Sequence, residues 1–217
     1  MKIKTAVIYG DSISTRECGN GCYEVYLKQE LGVETVYNHA IGASALTDGT
    51  YCNLIRLLDD ETNLHGDAEL VVLWHGTNDW YWGAPVGIPG SRDMEDEGTY
   101  VGALNHAIQK IRAAAPGAKI LSMTPLWRFQ APDGCETAGE AWTHPNKVGS
   151  VLRDYCEALQ EMGRILDFPV LDIRTLTNFD ASTAPVCQPD MVHPSAEGYR
   201  IIGGILCGFV KNIWQVD

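Results

Sequence analysis

The stretch that decides the fold is "ELVVLWHGTND", residues 69–79. Five consecutive apolar residues, Leu70 to Trp74, run without the polar alternation of a half-exposed strand. A strand with no polar face is buried on both sides, which is the situation of a central strand in a parallel sheet covered by helices. It breaks off at Gly76, and a short polar segment follows. In parallel sheets, ligands sit beyond the carboxyl ends of the strands. Asn78 therefore falls where functional groups collect, although Asn and Asp are also ordinary turn formers.

Working outward, strand-like and helix-like segments alternate. Strands are expected at 2–9, 34–39, 69–75, 119–123 and 169–173. Helical spacing of apolar residues marks 22–31, 51–60, 100–115, 147–163 and 196–214. Residues 83–99, rich in Gly, Pro and acid, read as a long surface loop, and 130–145 as a second irregular stretch. This order implies a three-layer α/β/α sandwich around a mostly parallel, five-stranded sheet. The chain has 217 residues, 45% of them hydrophobic, which suits a single domain, 1–217, with one sizeable core.

The net charge is -12. Such a surface repels phosphate backbones and anionic lipids, so neither nucleic acid nor membrane is an expected partner. The N-terminal residues run directly into a strand pattern without an apolar signal region. The chain as given reads as cytoplasmic, or secreted if a signal was removed. Seven cysteines, odd in number and scattered, argue against a disulfide framework. Cys18 and Cys22 are four apart and leave a local disulfide or half a metal site open, but no second close pair completes one. No metal and no cofactor are expected.

The other strand ends carry "GDSIS", residues 10–14, and "AIGAS", residues 40–44, and near the C-terminus lies "PDMVHPSAEGY", residues 189–199. Taken singly, each suits a turn or a helix cap: Asp11 and Ser14 as caps, Ser195 as N-cap after His193-Pro194. Together they supply the parts of an acyl-transfer site. Ser12 is the candidate nucleophile. His193 is the candidate base, since the histidine side chain has a reference pKa of about 6.5. Asp190, three residues earlier, is placed to orient its ring. Ser12 and Gly42 can offer backbone N–H groups to an oxyanion, and Asn78 a neutral side-chain N–H. "WTHPN", residues 142–146, offers a second His-Pro, but Ala141 stands three before His144, so His144 reads as helix entry or pocket wall. His75 reads as a packed strand-end residue, and His39, His65 and His106 receive no role.

These four segments, in this order, resemble the four blocks of the SGNH (GDSL) hydrolase superfamily, with Ile13 in place of the family's Leu. The likeness spans residues 6 to about 200. It implies a flavodoxin-like layered fold and ester hydrolysis by Ser12, His193 and Asp190. It also implies an oxyanion hole formed by Ser12, Gly42 and Asn78. Trp80, Tyr81 and Trp127, close to the strand ends, are candidate pocket residues. The expected substrate is a small or short-acyl ester, an acetylated carbohydrate among them. Alternatives are a lysophospholipase- or thioesterase-type enzyme of the same superfamily, a carbohydrate-binding protein on this fold, and a flavodoxin-like cofactor binder. The last is disfavoured by Asp11 where a phosphate would sit.

Overall fold

A computed structural model describes residues 2–48 and 52–216. Its elements in chain order are β1 (Thr5–Gly10), α1 (Glu24–Leu31), β2 (Thr35–Asn38), α2 (Leu54–Asp59), β3 (Leu70–Trp74), α3 (Thr77–Trp82), α4 (Tyr100–Ala114) and β4 (Lys119–Met123). There follow the short pair β5 (Phe129–Gln130) and β6 (Gly139–Glu140), then α5 (Leu152–Ile165), β7 (Val170–Leu171), α6 (Ile173–Thr177), α7 (Ala184–Cys187) and α8 (Ala196–Trp214). The main sheet has the order β2-β1-β3-β4-β7, with every pairing parallel. β5 and β6 form a separate antiparallel pair.

The unbroken apolar run of β3 is explained by the two layers it separates. Side chains alternate across a strand. Leu70, Val72 and Trp74 join a core with Ile8, Leu121 and residues of α1 and α8. Val71 and Leu73 join the opposite core with Val7, Tyr9 and residues of α4 and α5. Each face is thus sealed by helices, and three layers result. Ile202 and Leu206 of α8 are fully buried, each contributing about 1.5–3 kcal/mol of apolar burial. Among the described residues, no helix is long and apolar enough to cross a membrane.

The helix starts differ from the periodicity reading for local reasons. Cys22 sits at φ 48, outside the helical region, so α1 begins at Glu24. Asn53 caps α2 by accepting the Arg56 N–H at 2.9 Å; the expected start at Tyr51 lies outside the described residues. Before α5, the Asn146 side chain accepts the Val148 and Ser150 N–H groups at 3.1 and 3.0 Å. These bonds fold 146–150 into a turn and delay the helix to Leu152. Five short elements were not anticipated: α3, α6, α7, β5 and β6.

Candidate active site

Ser12 opens a single 3-10 turn at the end of β1. Asp11 caps it, its carboxylate accepting the Ile13 N–H at 2.9 Å. Gly10 is needed for close approach, since a Cβ there would lie 2.3 Å from Ser14 Oγ. The turn is tied down from two sides. The Tyr199 hydroxyl of α8 donates to Ile13 O at 2.5 Å, and Asn38 at the end of β2 donates to Ser14 O at 2.9 Å. Ser14 is not the cap expected for the following segment. It is buried inside the turn, where its Oγ accepts from the Tyr23 hydroxyl at 3.1 Å.

Asp190 and His193 occupy the loop between α7 and α8. The loop folds back because Gln188 donates to both Trp127 O and Val192 O, at 3.0 and 2.9 Å. Ser195 then caps α8, accepting the Gly198 N–H at 3.1 Å. His193 Nε2 lies 2.9 Å from Ser12 Oγ, and His193 Nδ1 lies 2.7 Å from Asp190 Oδ2. Asp190 Oδ1 accepts the backbone N–H groups of His193 and Val192, at 2.7 and 3.0 Å. Partial burial would raise the Asp190 pKa, but these donors to the charged form outweigh it, and the carboxyl is held below its ordinary range.

Asn78 is delivered by α3. Gly76, at φ 117, makes the sharp passage from β3 into that helix. Helical geometry sorts the neighbours: residues three and four apart share a face. Asn78, Tyr81 and Trp82 thus face one cavity of about 560 Å³, which Ser12 and His193 also line. Trp80, two residues from Asn78, points the other way. It is fully buried and donates through Nε1 to His144 O at 3.1 Å. Asp79 is turned inward as well. Its carboxylate accepts the Leu46 and Thr47 N–H groups at 3.1 Å, tying α3 to the loop after β2. Burial pushes its pKa up to about 6.

Gly42 lies in that loop, in a turn closed by Ser44 N–H on Ile41 O at 3.1 Å and anchored by Ile41 N–H on Gly10 O at 3.0 Å. Ala43, at φ 62, lines the cavity, and its carbonyl accepts the Trp82 Nε1–H at 3.2 Å. Of the proposed pocket aromatics, Tyr81 lines the cavity, while Trp80 and Trp127 do not. Trp127 is buried among Met123, Leu126 and other residues of the α8-side core. Sequence reasoning also missed Arg128, Gln130 and Val192, which complete the cavity wall. No motif marks them.

Tertiary contacts decide the remaining histidine and cysteine readings. His144 is neither helix entry nor cavity wall: its Nε2 lies 2.9 Å from Thr137 O, and α5 begins eight residues later. His39 and His65, to which no role was given, meet with Nε2 atoms 2.7 Å apart, and His65 stacks on Tyr37. His75 is buried and packed at the strand end, its Nε2 3.2 Å from Ser44 Oγ. Cys18 and Cys22 are thiols, with Cys22 Sγ donating to Ser14 O at 3.3 Å. Among the described residues no group of three or more His, Cys, Asp or Glu is placed to hold a metal ion.

Asp11 is the most perturbed acid beside Ser12. Burial pushes its pKa up to about 7, against the opposing effects of the Ile13 N–H and the positive charge of Arg128. Between its unfolded value and about 7, the folded chain holds a proton that the unfolded chain has lost. Stability therefore falls as pH rises through that window. Asp11→Asn keeps an acceptor for Ile13 and removes the buried charge. It is expected to unfold no more easily than the wild type at pH 8, whereas Asp11→Ala loses about 1 kcal/mol. Urea titrations at pH 5 and pH 8 check this, and equal losses in both variants at pH 8 would refute it.

Residues 8–201 match the model of the GDSL-like lipase/acylhydrolase family. No curated protein sequence matches. Several solved structures are similar. A protein from Lactobacillus plantarum shares 20% identity over 99% of both chains, with a TM-score of 0.83. A possible lipase from Chitinophaga pinensis shares 21% over 96% of this chain and 98% of its own, with a TM-score of 0.73. The lipase/acylhydrolase from Enterococcus faecalis shares 19% over 97% and 96%, with a TM-score of 0.66. At these identities the structures speak for a common fold, the SGNH-hydrolase sandwich. With the family model spanning nearly all of the ordered motifs, this chain belongs to the GDSL-like lipase/acylhydrolase family.

Proposed function

We propose that this protein is a serine esterase that hydrolyses small or short-acyl carboxylic esters, with acetylated carbohydrates as the favoured substrates. The observation that carries the reading is the unbroken chain Ser12 Oγ to His193 Nε2 at 2.9 Å and His193 Nδ1 to Asp190 Oδ2 at 2.7 Å. With the Nδ1 proton held by the carboxylate, Nε2 is left to take the Ser12 proton as Oγ attacks the ester carbon. The C=O electron pair moves to oxygen, where the Asn78 amide and the backbone N–H groups of Ser12 and Gly42 are the donors. On collapse, the alcohol leaves with the proton from His193, and an acyl group remains on Ser12. Water, deprotonated by the same imidazole, then releases the acid.

The lining of the cavity supports short acyl groups. Its wall combines Asn78, Arg128, Gln130 and Asp190 with the rings of Tyr81 and Trp82, and its aliphatic residues are Ala43 and Val192. Each methylene contributes about 0.8 kcal/mol where it is buried against apolar surface, and here that surface is the two rings and the short side chains of Ala43 and Val192, which suits a short acyl group better than a long chain. Tyr81 and Trp82, set edge to face at 4.7 Å beside Asn78, give a sugar ring an aromatic surface.

The purified protein is expected to hydrolyse p-nitrophenyl acetate with a higher kcat/KM than the octanoate ester. Preference for octanoate would reject the short-acyl reading. A panel of acetylated sugars and polysaccharides should release acetate; esterase activity without any such release would reject the carbohydrate part alone.

A further inference from the structure

Arg128 is the one buried guanidinium beside the nucleophile among the described residues, 5% exposed and on the wall of the Ser12 cavity. It forms no ion pair with a described carboxylate within 4 Å. Its fork is instead held by neutral groups. Nη1 donates to Thr77 O and Thr77 Oγ1, both at 3.1 Å, and Nη2 donates to Gln130 Oε1 at 2.6 Å. The Trp80 and Tyr81 rings lie 5.5 and 4.8 Å from its central carbon. Nε also donates to Gln130 Oε1 at 3.1 Å, and the last contact is Nη1 to Asn78 Oδ1 at 3.3 Å.

That contact decides how the Asn78 amide is turned. A guanidinium has donors and no acceptor, so the amide oxygen must face it. On the other side, Asn78 Nδ2 donates to Ser44 O at 3.0 Å, and a carbonyl oxygen has no hydrogen to donate, so the amide NH₂ must face it. The two partners agree on a single orientation, and one amide N–H is left uncommitted. A cation against the amide oxygen also polarises that N–H, in a site sheltered from water where such effects are large.

We infer that Arg128 is a positioning residue for ester hydrolysis, locking and polarising Asn78 so that its remaining N–H serves the oxyanion. The inference rests on the esterase reading of the same site and deepens it. Arg128 itself acts on the reacting atoms only through Asn78. Its work is in the transition state and not in the capture of substrate.

A double-mutant cycle tests this with Arg128→Lys, Asn78→Ala and the pair. Arg128→Lys keeps the charge and stem but loses the fork, and it is expected to lower kcat about 10-fold with KM changed less than about twofold. In the Asn78→Ala background the same change should cost less than about twofold, because the residue it acts through is gone. Arg128→Gln, if it folds, should lower kcat further and show the same silence in that background. A full, additive loss in the double variant, or a loss in KM alone, would overturn the inference. The cycle is repeated with the rate of Ser12 labelling by a fluorophosphonate. There Oγ attacks phosphorus, fluoride leaves, and the P=O oxygen takes the oxyanion position. This readout needs no carboxylic ester, so a protein that is labelled but hydrolyses none of the esters fails the substrate reading and still decides the role of Arg128.

Discussion

Ser12→Ala is expected to lower kcat/KM for p-nitrophenyl acetate on the order of 10⁴-fold or more, with stability unchanged. The loss should be this large because Ser12 is the hydroxyl bonded to His193, and no neighbour can replace it. Ser14 is two residues away but sealed in the turn, its Oγ engaged by Tyr23. Thr15 is turned back onto Ser12 O, donating to it at 3.0 Å. Stability should hold because the turn is built by other groups: the Asp11 carboxylate, the Tyr199 hydroxyl and the Asn38 amide. Removing Ser12 Oγ takes away a bond to a half-exposed ring and leaves those intact. Hydrolysis rates, thermal unfolding and mass-spectrometric location of a fluorophosphonate adduct check the three parts. Hydrolysis retained at even a tenth of the wild-type rate would mean that another group is the nucleophile.

What the sequence disclosed about this site follows from how local each feature is. The Ser12 turn is made by residues 10–14, and the Asp190/His193 pair by residues three apart in one loop, so both are visible over a short stretch of sequence. The parallel character of the sheet was legible because the apolar run of β3 sits in a chain whose strand-like and helix-like segments alternate. The order of the strands was not, since pairings such as Val71 with Ile120 join residues far apart in the chain. Trp80 does not reach the cavity because 77–82 is helical, which its turn-forming residues did not suggest. Once 77–82 is known to be helical, its period alone sends Trp80 inward and brings Tyr81 and Trp82 to the Asn78 face. Arg128 stood beyond any such rule. Its meaning comes from meeting Thr77 and Asn78, about fifty residues away, and a lone arginine after a strand announces nothing. The same holds for His39 and His65, which only the folded edge of the sheet brings together.

The two substitutions that remove the Asp190 charge are expected to differ, with the more conservative one more damaging. Asp190 uses both oxygens: Oδ1 accepts the backbone N–H groups of His193 and Val192, and Oδ2 accepts the ring N–H at Nδ1. In Asp190→Asn the amide oxygen keeps the two backbone donors, because an NH₂ group there would face N–H against N–H. The amide nitrogen then falls where Oδ2 stood and donates to Nδ1. The ring must carry its proton on Nε2, pointing it at Ser12, and can no longer receive one. Activity should fall on the order of 10⁴-fold. In Asp190→Ala nothing forces that tautomer. The Asp190 and His193 side chains are 56% and 38% exposed, so water can enter and accept the Nδ1 proton. The fall should be nearer to 10²-fold, on the order of a weakened general base. The loop should lose about 1 kcal/mol for the missing acceptor. Steady-state kinetics of both variants between pH 6 and pH 9, with thermal unfolding alongside, decide the matter. Asp190→Ala as inactive as Asp190→Asn, or more so, would show that the carboxylate acts through its charge and not by fixing the tautomer of His193.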